Sequence, residues 1–217
     1  SGRREVTGWD YGTNPCSEII LRPHQFCNLT EVIARAGDSL EDLKRKVRLA
    51  TILGTYQSTL TNFNYLRKTW KKNTEEERLL GVSITGIMDC PLLNSSNGLD
   101  ELAEVLRILK EVAIETNREI AEALGINQSV SITCVKPSGT VSQLVNSSSG
   151  IHSRYALRYI RTVRGDNKDP LTQFMIAMGF PNEPDVMKPD STTVFSFPIT
   201  APEGSITKDD RSAIEEL

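Results

Sequence analysis

The stretch from about residue 79 to residue 135 constrains this chain more than any other. It holds two mostly apolar runs, "LLGVSITGIMD" (79–89) and "SVSITCV" (129–135), separated by helical periodicity from about 99 to 124. Leu102, Val105, Leu106, Leu109, Val112 and Ala113 share one face of that helix, and Gly125 stands where a C-cap glycine belongs. Apolar runs of this length, each with few polar breaks, suit strands covered on both faces. Strand, long helix and strand in turn favour a parallel α/β arrangement, open or barrel-like.

The same alternation runs along the rest of the chain. "SEIILR" and "FCNLTEVIA" read as short strands flanking a turn at Pro23 and His24. Ser39 looks like an N-cap, and Leu40, Leu43, Val47, Ala50 and Leu53 follow at helical spacing, so a helix is expected from about 40 to about 62. "YALRYIRTVR" (155–164) is a strand with some polar alternation, residues 170–178 a short helix ended by Gly179, and "TTVFSFPI" (192–199) a final strand. The strands near 80–86, 130–135, 157–163 and 193–198 are expected to be parallel neighbours, with helices 40–62 and 99–124 packed outside them. There is no internal repeat and no linker, which leaves a single domain over 1–217.

Composition narrows the function. The 217 residues are 38% hydrophobic with a net charge of −3, enough to bury one core and too acidic to favour a nucleic-acid partner. The one basic cluster, "RKTWKKN" (67–73), reads as a solvated helix end with Trp70 tucked under it. No apolar run approaches the ~20 residues of a membrane span, and no signal peptide opens the chain. Four cysteines, at 16, 27, 90 and 134, include no CxxC pair, which argues against structural zinc and against a secreted disulfide scaffold. A reducing, cytoplasmic setting follows. The opening Ser1-Gly2 and the closing "KDDRSAIEEL", where a helix starts, suggest a piece of a longer protein.

Chemistry concentrates in "GTNPCSEIILRPHQFCNLTEV" (12–32). If the segment is extended, a period of two puts Asn14, Cys16 and Glu18 on one face. A carboxylate beside a thiol disfavours the thiolate, which weakens a cysteine–histidine hydrolase built on Cys16 and His24. A thiol kept protonated suits hydrogen-atom chemistry, with the carboxylate as a base on the substrate. A buried strand cysteine beside an exposed Glu18 is the plain alternative. A second element, "KPSGTVSQ" (136–143), ends a strand in a turn where Ser138, Thr140 and Ser142 bring hydroxyls to the start of a short helix. That arrangement can cradle a phosphate, although such a turn is often only a cap. Cys90 and Cys134 sit in apolar surroundings and read as small buried hydrophobes.

These pieces together carry a resemblance. "NPCSEI" with "FCNLTEV" resembles the active-site finger loop of ribonucleotide reductases, and "KPSGTVSQ" resembles that family's substrate-phosphate loop. "SGIHSRYALRYIRTVR" (149–164) and "TVFSFPITAPEGSITKDDRSAIEEL" (193–217) are similar to segments of its C-terminal half. The eleven-residue gap from Cys16 to Cys27 and the proline of NPC are most similar to the adenosylcobalamin-dependent, monomeric ribonucleoside-triphosphate reductases. The resemblance implies part of a ten-stranded α/β barrel: an active-site loop region over 1–32 and the C-terminal half of the barrel over 33–217. It implies that Cys16 becomes a thiyl radical that removes the ribose 3′ hydrogen. Glu18 would act as base on the 3′ hydroxyl, and Asn14 would hold the ribose hydroxyls. Cys27 would be one of two cysteines that reduce the 2′ position and finish as a disulfide, and Ser138, Gly139, Thr140 and Ser142 would hold the phosphates. A ribonucleoside tri- or diphosphate is the implied substrate, adenosylcobalamin the cofactor, and thioredoxin or a similar dithiol the reductant. No metal ligands are expected. Cys90 and Cys134 do not match the position of Cys27's partner, which is expected upstream. Two alternatives stay open: the same core served by a separate metal-containing radical subunit, and a module that only binds nucleotide phosphates.

Overall fold

The computed structural model describes Gly8, residues 10–212, and residues 214 and 215; Ser1 and Gly2 lie outside it, as does part of the carboxy-terminal tail. Two short strands, β1 (Gly12–Thr13) and β2 (Ile20–Leu21), pair antiparallel and close the first loop. β3 (Asn28–Ile33) follows, and then α1 (Leu40–Gln57). Ser39 caps that helix as its sequence suggests: its hydroxyl accepts from the Asp42 N–H at 3.2 Å while the Asp42 carboxylate accepts from the Ser39 N–H at 3.1 Å. The helix stops at Gln57 rather than near 62. Ser58 and Thr59 hydroxyls donate back to the carbonyls of Thr55 and Tyr56, both at 2.7 Å, and offer the chain an alternative to another helical turn.

The basic cluster is the N-terminal end of a helix, α2 (Lys68–Glu77), with Arg67 at its N-cap. Trp70 packs against Phe26 with ring centroids 4.7 Å apart and edge-on to His24 at 5.5 Å, so the helix clasps the turn before β3. β4 (Leu80–Thr85) then runs parallel to β3, in register from Asn28↔Leu80 to Ile33↔Thr85. A single 3-10 turn (Ile87–Asp89) leads to α3 (Leu99–Leu124), which ends at Gly125 in the left-handed region with φ +64°. The expected strand over 129–135 shrinks to one parallel bridge, Val82↔Thr133. Three backbone bonds hold it: Leu80 N–H to the Ser131 carbonyl (2.9 Å), Val82 N–H to that of Ile132 (2.8 Å) and Cys134 N–H to that of Val82 (3.0 Å).

Val32, Leu43, Leu80, Val82, Leu109 and Ile132 anchor the core between these strands and the pair α1–α3. Inside it, Asn117 donates to the hydroxyls of Thr55 and Ser129 at 3.0 Å each and accepts from the Ser129 N–H at 2.8 Å, so one buried amide joins both helices to the returning chain.

After α4 (Val141–Leu144) the topology departs from expectation. β5 (Arg158–Asp166), α5 (Pro170–Ala177), β6 (Asn182–Pro184) and β7 (Thr192–Thr200) form their own unit. Its three strands lie in the order β5-β7-β6 and every pairing is antiparallel, so residues 157–163 and 193–198 are not parallel neighbours of β4. β5 alternates exposed and half-buried residues, with Ile160 68% exposed. An antiparallel sheet tolerates one wet face; a parallel sheet does not. The chain is therefore mixed α/β, with its parallel strand pair, β3–β4, before residue 135 and only an isolated parallel bridge, Arg154↔Thr207, after it.

Candidate active site

The segment Asn14–Glu18 is not an extended strand. Asn14, Pro15, Cys16 and Ser17 make a β-turn, closed by the Ser17 N–H donating to the Asn14 carbonyl at 2.9 Å. Proline presets the backbone at the turn's second position. Ser17 takes φ +62°, and the Asn14 side chain substitutes for backbone by accepting from the Ile19 N–H at 3.0 Å. Cys16 is thereby placed at the exposed tip of a hairpin loop. The loop's foot is fixed to α2: Asn73 donates to the Pro23 carbonyl at 2.9 Å, and Gln25 donates to the Glu77 carboxylate at 2.6 Å. Ile19, 3% exposed, anchors it in the interior.

Glu18 turns inward, where the plain alternative would have left it exposed. Its side chain is fully buried, and Oε1 accepts from Lys136 Nζ at 2.8 Å. Oε2 is equally buried and lacks a hydrogen bond of ordinary geometry. Burial pushes this carboxyl up, but the Lys136 bond, a backbone N–H and the Asn14 amide outweigh it and hold Glu18 below the usual carboxylate range. Lys136, the residue that opens "KPSGTVSQ", is raised in turn, chiefly by its bond to Glu18.

Two cysteines share this environment. Burial, and then the Glu18 charge, raise the Cys27 thiol. The same two causes push Cys134 up to about 12, with Cys27 and Glu31 adding to it. Cys134 is therefore not an isolated apolar filler: it is half-buried, next to Gly81 and within the fields of Glu18, Cys27 and Lys136. Cys90 does fill the core as expected, and all four cysteines are unbridged.

The "KPSGTVSQ" loop divides its hydroxyls by role. Ser138 and Ser142 are buried and bond each other's segment, Ser142 N–H to Ser138 Oγ at 3.2 Å and Ser142 Oγ to the Ser138 carbonyl at 2.6 Å. Gly139 and Thr140 are exposed, and their N–H groups have no partner among the described residues. Ser149 donates its hydroxyl to the Ser138 carbonyl from the neighbouring turn. That turn is held by a buried ion pair: Arg154 donates to Asp89 through Nε at 2.9 Å and through its terminal nitrogen at 2.8 Å, while Asp89 accepts the Ser148 N–H at 2.8 Å. Gly150, at φ +56°, lets the turn pass close to Lys136, where an added Cβ would stand 2.9 Å from the Lys136 carbonyl.

Asn14, Cys16, Glu18 and Cys27 thus lie together on and under the finger loop, and Lys136 joins them to the Ser138–Ser142 loop. Sequence reasoning missed Lys136, Asp89 and Arg154. Lys136 had a usable signal in being the first residue of a loop already singled out. Asp89 and Arg154 had none, because a pair so far apart in sequence is joined only by the fold.

No family model matches this chain. Among curated proteins, the adenosylcobalamin-dependent ribonucleoside-triphosphate reductase of Euglena gracilis is 32% identical over 209 residues, covering 95% of this chain and 27% of that protein. That of Lactobacillus leichmannii is 30% identical over 213 residues, covering 88% of this chain and 28% of that protein. Among solved structures, a B-12 dependent (class II) ribonucleotide reductase superposes with a TM-score of 0.73 at 27% identity, over 89% of this chain and 30% of that one. The chain is homologous to adenosylcobalamin-dependent (class II) ribonucleotide reductase over about 90% of its length and spans only about 28% of those relatives.

Proposed function

We propose that this chain is part of the catalytic core of a ribonucleotide reductase that converts ribonucleotides to 2′-deoxyribonucleotides by thiyl-radical chemistry. The observation that carries the reading is the finger loop: an exposed Cys16 at its tip, an ionised and fully buried Glu18 at its base, and Cys27 beside them. In this reading residues 1–32 are the active-site loop region and residues 33–217 belong to the C-terminal half of an α/β barrel. The parallel pair β3–β4 supports the barrel assignment for the first part of that span.

Each residue then has one task. Cys16, once a thiyl radical, takes the 3′ hydrogen of the ribose. Glu18 accepts the 3′ hydroxyl proton, a role that requires the ionised form the site maintains. Asn14, pinned by its bond to Ile19, holds the ribose hydroxyls. Replacing C2′–OH by C2′–H with loss of water consumes two electrons, and two thiols closing to a disulfide supply them, one being Cys27. Gly139 and Thr140 present donors to the phosphates of a ribonucleoside tri- or diphosphate, with Ser138 and Ser142 fixing the loop's shape. Adenosylcobalamin, when bound, supplies the radical that Cys16 needs, and the exposure of Cys16 fits a source that approaches from outside the loop. Thioredoxin or a similar dithiol reopens the disulfide after each cycle.

The test is Cys16→Ser in the full-length protein. Deoxynucleotide formation should vanish, because an O–H bond is too strong to exchange hydrogen in place of S–H, while nucleotide binding persists. Substantial product from the purified variant would refute the reading.

A further inference from the structure

We propose that Lys136 is a positioning residue of this site: its ammonium fixes the Glu18 carboxylate and ties it to the loop assigned to the phosphates. The inference rests on the functional reading above and adds to it a residue that neither the finger-loop motif nor the hydroxyl pattern of the second loop identifies.

Three observations carry it. Lys136 Nζ donates to Glu18 Oε1 at 2.8 Å, while the Lys136 backbone begins the turn that leads through Pro137 into Ser138. One residue therefore spans from the base to the anion loop. Glu18 Oε2 is buried without an ordinary hydrogen bond. A purely structural ion pair would satisfy both oxygens, because an unsatisfied buried acceptor is costly. Here Lys136 holds Oε1, while Oε2, in reach of the Asn14 amide but without a bond of ordinary geometry, can accept from a substrate hydroxyl. Finally, the lysine backbone has little freedom of its own, with Pro137 after it and Gly150 packed against its carbonyl.

The charges around Glu18 make the lysine's part separable. The groups that face the Glu18–Lys136 pair are the Asn14 amide, Cys27 and Cys134, with Cys16 beside Lys136 and Glu31 adjoining Cys134. Among the described residues, Lys136 is the one cation acting on Glu18, Cys27 and Cys134 alike. Without it, burial would act on Glu18 opposed only by the backbone N–H and the Asn14 amide, and the carboxyl would protonate at higher pH. A base must be deprotonated to work, so the acid side of the activity profile should move up, not down.

The experiment compares kcat/KM against pH for the full-length wild type, Lys136→Gln and Lys136→Arg, with thermal unfolding of each. The glutamine variant should shift the acid limb upward by roughly one to two pH units, which is about a ten- to hundredfold loss below the wild-type limb and a smaller loss above it. The arginine variant, which keeps the charge, should recover most of that shift. Profiles that stay parallel, whether equal or uniformly lowered, would overturn the proposal, as would an arginine variant displaced as far as the glutamine one. If Lys136→Gln does not fold, Lys136→Met serves the same comparison; a lysine whose removal always unfolds the protein is structural, and the proposal falls. Failure of the underlying reading looks different: wild-type protein without deoxynucleotide formation, or an active Cys16→Ser variant, condemns the reaction and not the lysine alone.

Discussion

Cys16, Cys27, Cys90 and Cys134 are one functional group in four environments, and their reactivity should sort accordingly. Only the thiolate attacks an alkylating agent, and only where the agent can reach it. Cys16 is exposed; Cys27 is half-buried with its thiol raised by burial and by Glu18; Cys90 is sealed in the core. Cys134, pushed up to about 12, has only about one thiolate in ten thousand at pH 8. Limited iodoacetamide treatment of the native chain at that pH, followed by peptide mapping, should label Cys16 first, Cys27 next, and Cys90 and Cys134 scarcely at all. Labelling of Cys134 ahead of Cys16 would contradict the placement of both. The sequence revealed the types of these residues but not their company. "SITCVK" is locally apolar, so Cys134 reads as core; the carboxylate that governs it comes from the finger loop, a contact made only by folding. The NPCS turn is more legible, since asparagine followed by proline is a turn signal that outweighs an extended reading of the segment.

Among the elements, those with a local chemical signature were legible and those defined by a partner were not. The Ser39 capping box and the left-handed Gly125 are written into their own neighbourhoods, and both ends appear where expected. β5 and β7 read as strands from their own residues, and the polar alternation of β5 is the one local sign of an antiparallel sheet with a wet face; which strand lies beside each is decided only by the fold. β4 shows how an element serves the site. At Gly81 an added Cβ would lie 2.4 Å from Leu29 Cδ2, 3.0 Å from Ile19 Cδ1 and 3.1 Å from Cys134 Sγ. The leucine tip can rotate away; Ile19 is buried and anchors the finger loop, so its movement is passed to the turn that carries Cys16. Gly81→Ala should therefore cost about 1–3 kcal/mol in unfolding experiments through overpacking. In the full-length protein it should lower kcat by more than its modest effect on stability would suggest. A variant with unchanged unfolding midpoint and unchanged kcat would show that this contact is slack.

On the scale of the whole molecule, the proposed reading gives the chain one side of a reaction site. It spans about 28% of the relatives to which it is homologous, and its surface is consistent with an assembly that continues. Among the described residues β3 pairs on one edge only, and beside its open edge α1 exposes Leu49 and Leu53 at 59% and 64%. An open edge next to apolar side chains is a surface that folded proteins normally cover. On the proposed reading the redox chemistry is divided in the same way. Each ribose reduction needs two thiols that close to a disulfide, and a bridge needs Cα atoms within about 7 Å. Cys27 offers one sulfur. Cys90 lies in the core beneath the helices, and Cys134, though within the field of Cys27, remains unbridged to it. We therefore expect the isolated 217 residues to show four titratable thiols after denaturation without reductant, and no disulfide joining Cys27 to Cys90 or Cys134 after mild oxidation. Supplied with adenosylcobalamin, a ribonucleoside triphosphate and a dithiol, the same chain should not turn over, because the second electron-donating sulfur and one wall of the nucleotide pocket must come from elsewhere. Repeated turnover by the isolated chain, or a native Cys27–Cys134 bridge in the peptide map, would show that these residues make a complete reducing pair on their own.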